Sequence, residues 1–327
     1  MRIVLCYPVQ PRHVAQIKAA APDAEIVDAG QERIAEELLA ADVFCGHAKV
    51  PVPWSEVVQR GRLRWIQSTA AGLDHCLTSP VIDSAIVVTG ASGLFANQVA
   101  EHTVALLTGV LRNLPTFFRA ALERDFTRQP TRDLHGATIG IIGFGGNGRR
   151  IAEVLSVYNT RILATDMFPR NKPNWVTELL PADRLDDFLP MVDAVILCVP
   201  LTNATRGMMN RSTLRKMKPG SVLINVARGP VVVEADLIEA LKSGHLSAAG
   251  LDVTEVEPLP KDSELWDLPN VIITPHVGAQ SASRIDDTTD FFCENLRRYY
   301  SDEPLLNLVD KQLGFPVPSA SKGSESA

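Results

Sequence analysis

Arg228, Glu257 and His276 are the side chains whose types and order most directly suggest chemistry. Arg228 stands in Asn225-Val226-Ala227-Arg228-Gly229, Glu257 opens Glu257-Pro258-Leu259-Pro260, and His276 closes Thr274-Pro275-His276. A planar guanidinium binds a carboxylate through paired hydrogen bonds. An imidazole exchanges a proton near neutrality. A carboxylate beside that ring orients it and favours its protonated form. These are the demands of reducing a 2-keto acid: the acid is clamped, and the carbonyl oxygen gains a proton as hydride reaches the carbon. Taken singly, each residue has a plainer reading. A strand-end arginine is usually a surface charge, a histidine after proline a loop residue, and a glutamate before proline the start of a turn. Together they follow the carboxyl ends of three predicted strands of one sheet, where such sheets bind ligands.

Upstream lies Gly143-Phe144-Gly145-Gly146-Asn147-Gly148. A glycine triplet alone is a weak signal, but here it follows an apolar strand and leads into a helix opened by Gly148-Arg149-Arg150-Ile151-Ala152. Gly143 permits the tight turn, Gly145 the approach of a pyrophosphate, and Gly148 close helix–strand packing. Unpaired N–H groups at the helix start then face the phosphates. Asp166 ends the next strand, where a carboxylate accepts hydrogen bonds from ribose hydroxyls and repels a 2′-phosphate. This favours NAD over NADP, with Arg170 four residues on able to soften the preference.

The elements that position these groups follow from apolar patterning. Residues 1–97 alternate short strands (Ile3 to Tyr7, Glu25 to Val27, Val43 to Cys45, Trp65 to Gln67) with helices (Arg12 to Ala21, Gln31 to Ala40). A long apolar helix runs from Gln98 to Leu111, with Glu101 and His102 near its start. Six further strands are predicted near residues 137–142, 161–164, 194–198, 222–225, 248–251 and 271–273, and another helix near 283–300. The expected fold class is α/β: two Rossmann-like domains with doubly wound parallel sheets and an active-site cleft between them.

The 327 residues exceed one typical domain. Hydrophobic residues make up 46% and charged residues 21%, as in ordinary globular chains. A net charge of −6 offers no basic face, so nucleic acid is not an expected partner. No run reaches the roughly 20 apolar residues of a membrane span, and the N-terminus reads as a strand rather than a signal peptide. The five cysteines are scattered and form no CxxC pair. Neither a metal site nor a disulfide framework is expected, and a reducing, cytoplasmic location fits. Cys6, Cys45 and Cys198 read as buried hydrophobes.

With these motifs in place, the chain resembles the D-isomer-specific 2-hydroxyacid dehydrogenases. Three blocks carry the likeness: Gly136 to Ala152, Leu214 to Gly229, and Gly250-Leu251-Asp252-Val253 leading through Glu257-Pro258 to Pro275-His276. The resemblance implies catalytic roles for Arg228, Glu257 and His276. It implies an Asp252 contact to the nicotinamide carboxamide, and cofactor contacts near Val199, Val226 and Gly278 alongside Gly143, Gly145, Gly146, Asn147, Gly148 and Asp166. Ala71-Gly72-Leu73-Asp74 resembles the family's substrate loop, in which backbone N–H groups of Ala71 and Gly72 hold the acid. His47, Lys49 and His75 are candidates for substrate selection.

The family plan implies a discontinuous substrate domain (1–97 plus 285–313), an inserted NAD-binding domain (98–284), a disordered tail (314–327), and a homodimer paired through the NAD-binding domains. Two departures stand out. Gly146-Asn147 replaces a larger residue followed by an aliphatic one. Ser68-Thr69-Ala70-Ala71 lacks the arginine of phosphoglycerate-type members, and no regulatory domain is expected after Asp310. The expected substrate is therefore a small unphosphorylated acid, glyoxylate or hydroxypyruvate. A phosphoglycerate-dehydrogenase-like enzyme and an NAD-sensing, corepressor-like scaffold are the alternatives.

Overall fold

The computed structural model describes residues 1–317. The chain divides into two compact units, one formed by Met1–Leu94 with the chain from Ser281 on, the other by Phe95–Gln280.

In the first unit, β1 (Arg2–Cys6), β2 (Glu25–Asp28), β3 (Val43–Gly46), β4 (Trp65–Ser68) and β5 (Val87–Thr89) form a parallel sheet in the order β2-β1-β3-β4-β5. Side chains alternate between faces. Val4, Phe44, Ile66 and Val88 feed one core, while Ile3, Leu5, Val43, Cys45 and Trp65 feed another, shared with Phe292, Cys293 and Leu296 of the helix Arg284–Tyr300. Both faces are covered, so these strands read as continuous apolar runs. The edge strand β5 is not among the expected strands. The helix expected over 31–40 starts later, at Ile34, and ends in a 3₁₀ turn.

In the second unit, β6 (Thr138–Ile142), β7 (Arg161–Asp166), β8 (Glu178–Pro181), β9 (Ala194–Leu197), β10 (Ser221–Asn225), β11 (Leu246–Leu251) and β12 (Val271–Ile273) run parallel in the order β12-β11-β10-β9-β6-β7-β8. β8 is the strand beyond the six expected, a partly exposed edge that ends in proline. Ile139, Ile141, Ile196 and Ile224 pack on the helices Ala96–Leu111 and Gly146–Ser156, whereas Leu163, Val195, Leu197 and Leu223 pack with Phe188, Leu214 and Leu237 on the other face. The chain leaves β6 for β7 on one side and returns to β9 on the other. The sheet's switch point therefore lies at the carboxyl ends of β6 and β9, where doubly wound folds open a ligand crevice.

The expected tail needs correction at its start. Phe315–Pro316 pair with Val309–Asp310 in an antiparallel ladder. Asp310 Oδ1 accepts N–H bonds from Gln312 and Leu313, and Gly314 closes the turn at φ 82°. A hairpin this short leaves no apolar periodicity to read. Residues 318–327 of the expected tail lie outside the described residues.

Candidate active site

Gly143 sits at the switch point with φ 94°, and a Cβ there would lie 2.8 Å from the Cys198 carbonyl carbon and 2.9 Å from the Val199 nitrogen. The helix begins at Gly146, two residues before the expected Gly148, and Gly145 is its uncapped N-cap. Gly148 instead lies inside the first turn, against the Gly143 carbonyl oxygen, 2.2 Å from where its Cβ would be. Gly145 and Gly146 are exposed, and nothing lies within 4 Å of a Cβ built on Gly145. Open space before uncapped N–H groups is what a dinucleotide pyrophosphate requires, so these residues fit the group. Burial pushes the pKa of the nearby Cys198 thiol up to about 12, which keeps it protonated.

Asp166 ends β7 with both carboxylate oxygens engaged. Oδ2 accepts the Phe144 N–H at 2.6 Å and Oδ1 the Phe168 N–H at 2.7 Å. The guanidinium of Arg149 stacks 4.7 Å from the Phe144 ring centre and donates to the carbonyls of Arg170 and Asn171. The loop after β7 is thereby tied to the phosphate loop and its helix. Val199 and Val226 follow β9 and β10, and both are half-buried.

Three residues past β10, Arg228 lies in a turn built by Asn225. This buried amide accepts the Ala227 N–H at 3.0 Å and donates to the Arg228 carbonyl at 3.1 Å. Gly229 then presses on the loop after β11, where any Cβ would stand 1.7 Å from the Thr254 carbonyl oxygen. That contact sets the turn of Arg228 against the loop bearing Glu257.

Glu257 Oε2 lies 2.9 Å from His276 Nδ1, and Oε1 accepts the Thr254 N–H at 3.3 Å. Burial pushes the Glu257 carboxyl up, but the His276 contact, the Thr254 amide and the charge of Arg228 outweigh it, and the net shift is down. An ionised carboxylate only accepts hydrogen bonds, so Nδ1 carries the proton. His276 and Glu257 are both exposed.

Asp252 is buried behind the histidine turn. Its Oδ1 accepts from Thr274 Oγ1 at 2.7 Å and the Val277 N–H at 2.9 Å, and its Oδ2 accepts the Gly278 N–H at 2.8 Å. Burial raises its pKa, but these donors and His102 lower it further, so the carboxylate stays ionised. Sequence patterning does not single out Asn225, Gly229, Thr274 or His102 as site residues, because their partners are set by the fold rather than by spacing.

The residues Ala71 and Gly72 belong to the first unit, in a loop beyond β4. Ser68 there is buried, and its hydroxyl both accepts the Ala70 N–H and donates to the Ala70 carbonyl at 3.1 Å. Although no arginine stands within this loop, the guanidinium of Arg284 donates to the Thr69 carbonyl at 3.4 Å, supplied by a helix 215 positions on. In the same unit the His47 and His75 rings stack at 4.0 Å.

The family model for the D-isomer specific 2-hydroxyacid dehydrogenase, NAD binding domain, matches residues 104–278. The chain is 32% identical over 290 residues to a glycerate dehydrogenase of Methylorubrum extorquens, covering 85% of this chain and 88% of the relative. It is 34% identical over 263 residues to a glyoxylate reductase of Pyrococcus furiosus, covering 77% of each. An NADPH-dependent glyoxylate/hydroxypyruvate reductase of Sinorhizobium meliloti, solved with NADP and sulfate, superposes with a TM-score of 0.82 at 28% identity, covering 96% of this chain and 99% of that one. The chain therefore belongs to the D-isomer specific 2-hydroxyacid dehydrogenases, oxidoreductases acting on CH–OH donors. It carries their NAD(P)-binding domain.

Proposed function

We propose that the protein is an NAD-dependent reductase of a small unphosphorylated 2-keto acid, glyoxylate or hydroxypyruvate. The observation that carries this reading is the Glu257–His276 contact beside the Arg228 turn, with Arg228 close enough to bias the Glu257 charge. Arg228 would clamp the carboxylate and keto oxygen of the acid, with the N–H groups of Ala71 and Gly72 as further donors. His276 Nε2 would give its proton to the keto oxygen, and Glu257 would stabilise the imidazolium that supplies it. Gly143, Gly145, Gly146, Asn147, Gly148, Asp166, Val199, Val226, Asp252 and Gly278 would hold the dinucleotide, which supplies the hydride when bound. Asp166 supports NAD, because its charge at the end of β7 repels a 2′-phosphate. The NADP-bound relative is the counterweight.

The same reading assigns further acid-binding donors, Ala71 and Gly72, to the first unit, built from both chain ends, and dinucleotide binding to the second. It pairs two copies through the dinucleotide-binding units. Its support is an exposed apolar row on the helix Leu114–Leu122 and the segment after it: Phe118 is 65% exposed, Leu122 86% and Phe126 98%. Ultracentrifugation of wild type and Phe118→Ser tests this, since a monomeric wild type would sink it. A reducing, cytoplasmic location goes with the five free cysteines. Among the described residues no helix is long and apolar enough to cross a membrane.

The deciding experiment follows consumption of NADH and of NADPH with glyoxylate, hydroxypyruvate, pyruvate, phenylpyruvate and 3-phosphohydroxypyruvate. Turnover with NADH on one of the first two is expected. Turnover chiefly on the phosphorylated acid would overturn the substrate assignment and point to Arg284. No turnover by protein that binds NADH would overturn the enzymatic reading in favour of a dinucleotide-sensing scaffold.

A further inference from the structure

His276 adopts a left-handed backbone conformation, φ 54°, which a residue with a Cβ holds only when its surroundings impose it. Its own N–H bonds the Asp252 carbonyl at 2.8 Å. The next two N–H groups, of Val277 and Gly278, bond the Asp252 carboxylate. A Cβ on Gly278 would meet Asp252 Oδ2 at 2.8 Å, so the turn wraps closely round this carboxylate. Asp252 is thus the post on which the histidine turn hangs, and what fixes Asp252 fixes His276.

One donor to that post comes from a distant element. His102, on the helix Ala96–Leu111, places Nε2 2.9 Å from Thr274 Oγ1 and 3.2 Å from Asp252 Oδ1. Thr274 Oγ1 in turn reaches Oδ1 at 2.7 Å. The ionised Asp252 only accepts, so Nε2 of His102 bears hydrogen and donates across both oxygens. Val277, Gly278 and Thr274 all move with the turn. The contact from His102 anchors the network to a helix of 16 residues packed on the sheet.

We propose that His102 is a positioning residue for His276, acting through Thr274 and Asp252 on both flanks of the histidine turn. Its kinetic consequence rests on the function proposed above; its structural consequence does not. Removing the imidazole takes one donor from a buried charge and frees the turn from the helix. Glutamine at 102 places an amide N–H near the position of Nε2 and restores the donor.

The test compares wild type, His102→Ala, His102→Gln and Thr274→Val by hydrogen–deuterium exchange of the segment 274–280, NADH affinity, and kcat on the best keto acid. In His102→Ala the exchange of this segment should rise about tenfold or more, and kcat should fall about tenfold, a larger loss than that of NADH affinity, which Asp252 and Gly278 carry only in part. His102→Gln should recover both, and Thr274→Val should follow His102→Ala. Unchanged exchange at 274–280 overturns the proposal, as does faster exchange over the whole chain, which would make His102 a general packing residue. Without keto acid turnover in wild type, the exchange arm still decides it. If His102→Ala does not fold, wild-type exchange and kcat in both other variants overturn it, while the expected split between them supports it.

Discussion

The phosphate loop after β6 and the histidine corner after β11 and β12 share one sheet edge, yet they are built by opposite means. The phosphate loop works by removing side chains. Gly143 and Gly148 are glycines because a Cβ on either would enter neighbouring backbone at 2.8 and 2.2 Å, and Gly145 leaves open space. The histidine corner works by adding buried polar side chains: Asn225 ties the arginine turn, while Asp252 and Thr274 tie the histidine turn. A pyrophosphate is bound by backbone N–H groups and needs room. Proton transfer depends on one nitrogen aimed within hydrogen-bond reach, so its support must be specific.

The largest expected effect separates the two regions outright. His276→Ala should lower kcat by about 10²–10⁴-fold, the usual contribution of a positioned acid–base group, while leaving NADH affinity near wild type. Loss of NADH binding in parallel would mean that His276 itself serves the cofactor rather than the proton transfer, and the contrast would fail.

A paired glycine experiment sharpens it. Gly229→Ala forces a Cβ toward the Thr254 carbonyl and must displace the arginine turn or the Glu257 loop. A shift of about 1 Å can cost about 10²-fold in rate, so kcat should fall on that scale with NADH binding retained. Gly148→Ala strains the first turn of the dinucleotide helix instead. It should weaken NADH binding, measured by calorimetry, before it affects kcat at saturation. The opposite pattern would reassign the two glycines.

Smaller still is the Asp166 effect. Asp166→Asn keeps an acceptor for the Phe144 or Phe168 N–H but removes the charge. The ratio of NADH to NADPH affinity should fall by roughly tenfold, the size of one hydrogen bond to a charged group. An unchanged ratio would locate cofactor choice elsewhere, with Arg149 on the helix and Arg170 in the loop tied to it as the candidates.

The two regions also differ in how far their amino acids alone reveal them. Glycine need is local: strand, turn and helix lie within a dozen residues, so the loop is legible from spacing. Its helix still starts two residues ahead of the expected point, with Gly145 as its N-cap. The trio is legible because each member follows a strand end. Its supports are not. His102 meets Thr274 across 172 positions and Arg284 meets Thr69 across 215, and no pattern in a single sequence links such partners. For the fold, apolar runs buried on both faces announce most strands. β8 escapes that pattern because it is a half-exposed edge that ends in proline.

The smallest prediction tests whether Asp252 supports its corner as a charge or merely as a shape. Burial alone would raise its pKa, but the hydrogen bonds to it prevail and hold the native value below the ordinary 3.8. A carboxylate depressed in the folded state stabilises the protein fully above its unfolded value, and that contribution is lost as pH falls through the folded one. Asp252→Asn lacks the charge at every pH. The melting temperature of wild type should therefore exceed that of the variant by a constant margin from pH 7 down to about 4, and the margin should shrink below that. Thermal melts between pH 7 and pH 3 measure it. A margin that persists to pH 3 would make packing of the Asp252 side chain the support, and the histidine turn would then hang on shape as the phosphate loop does.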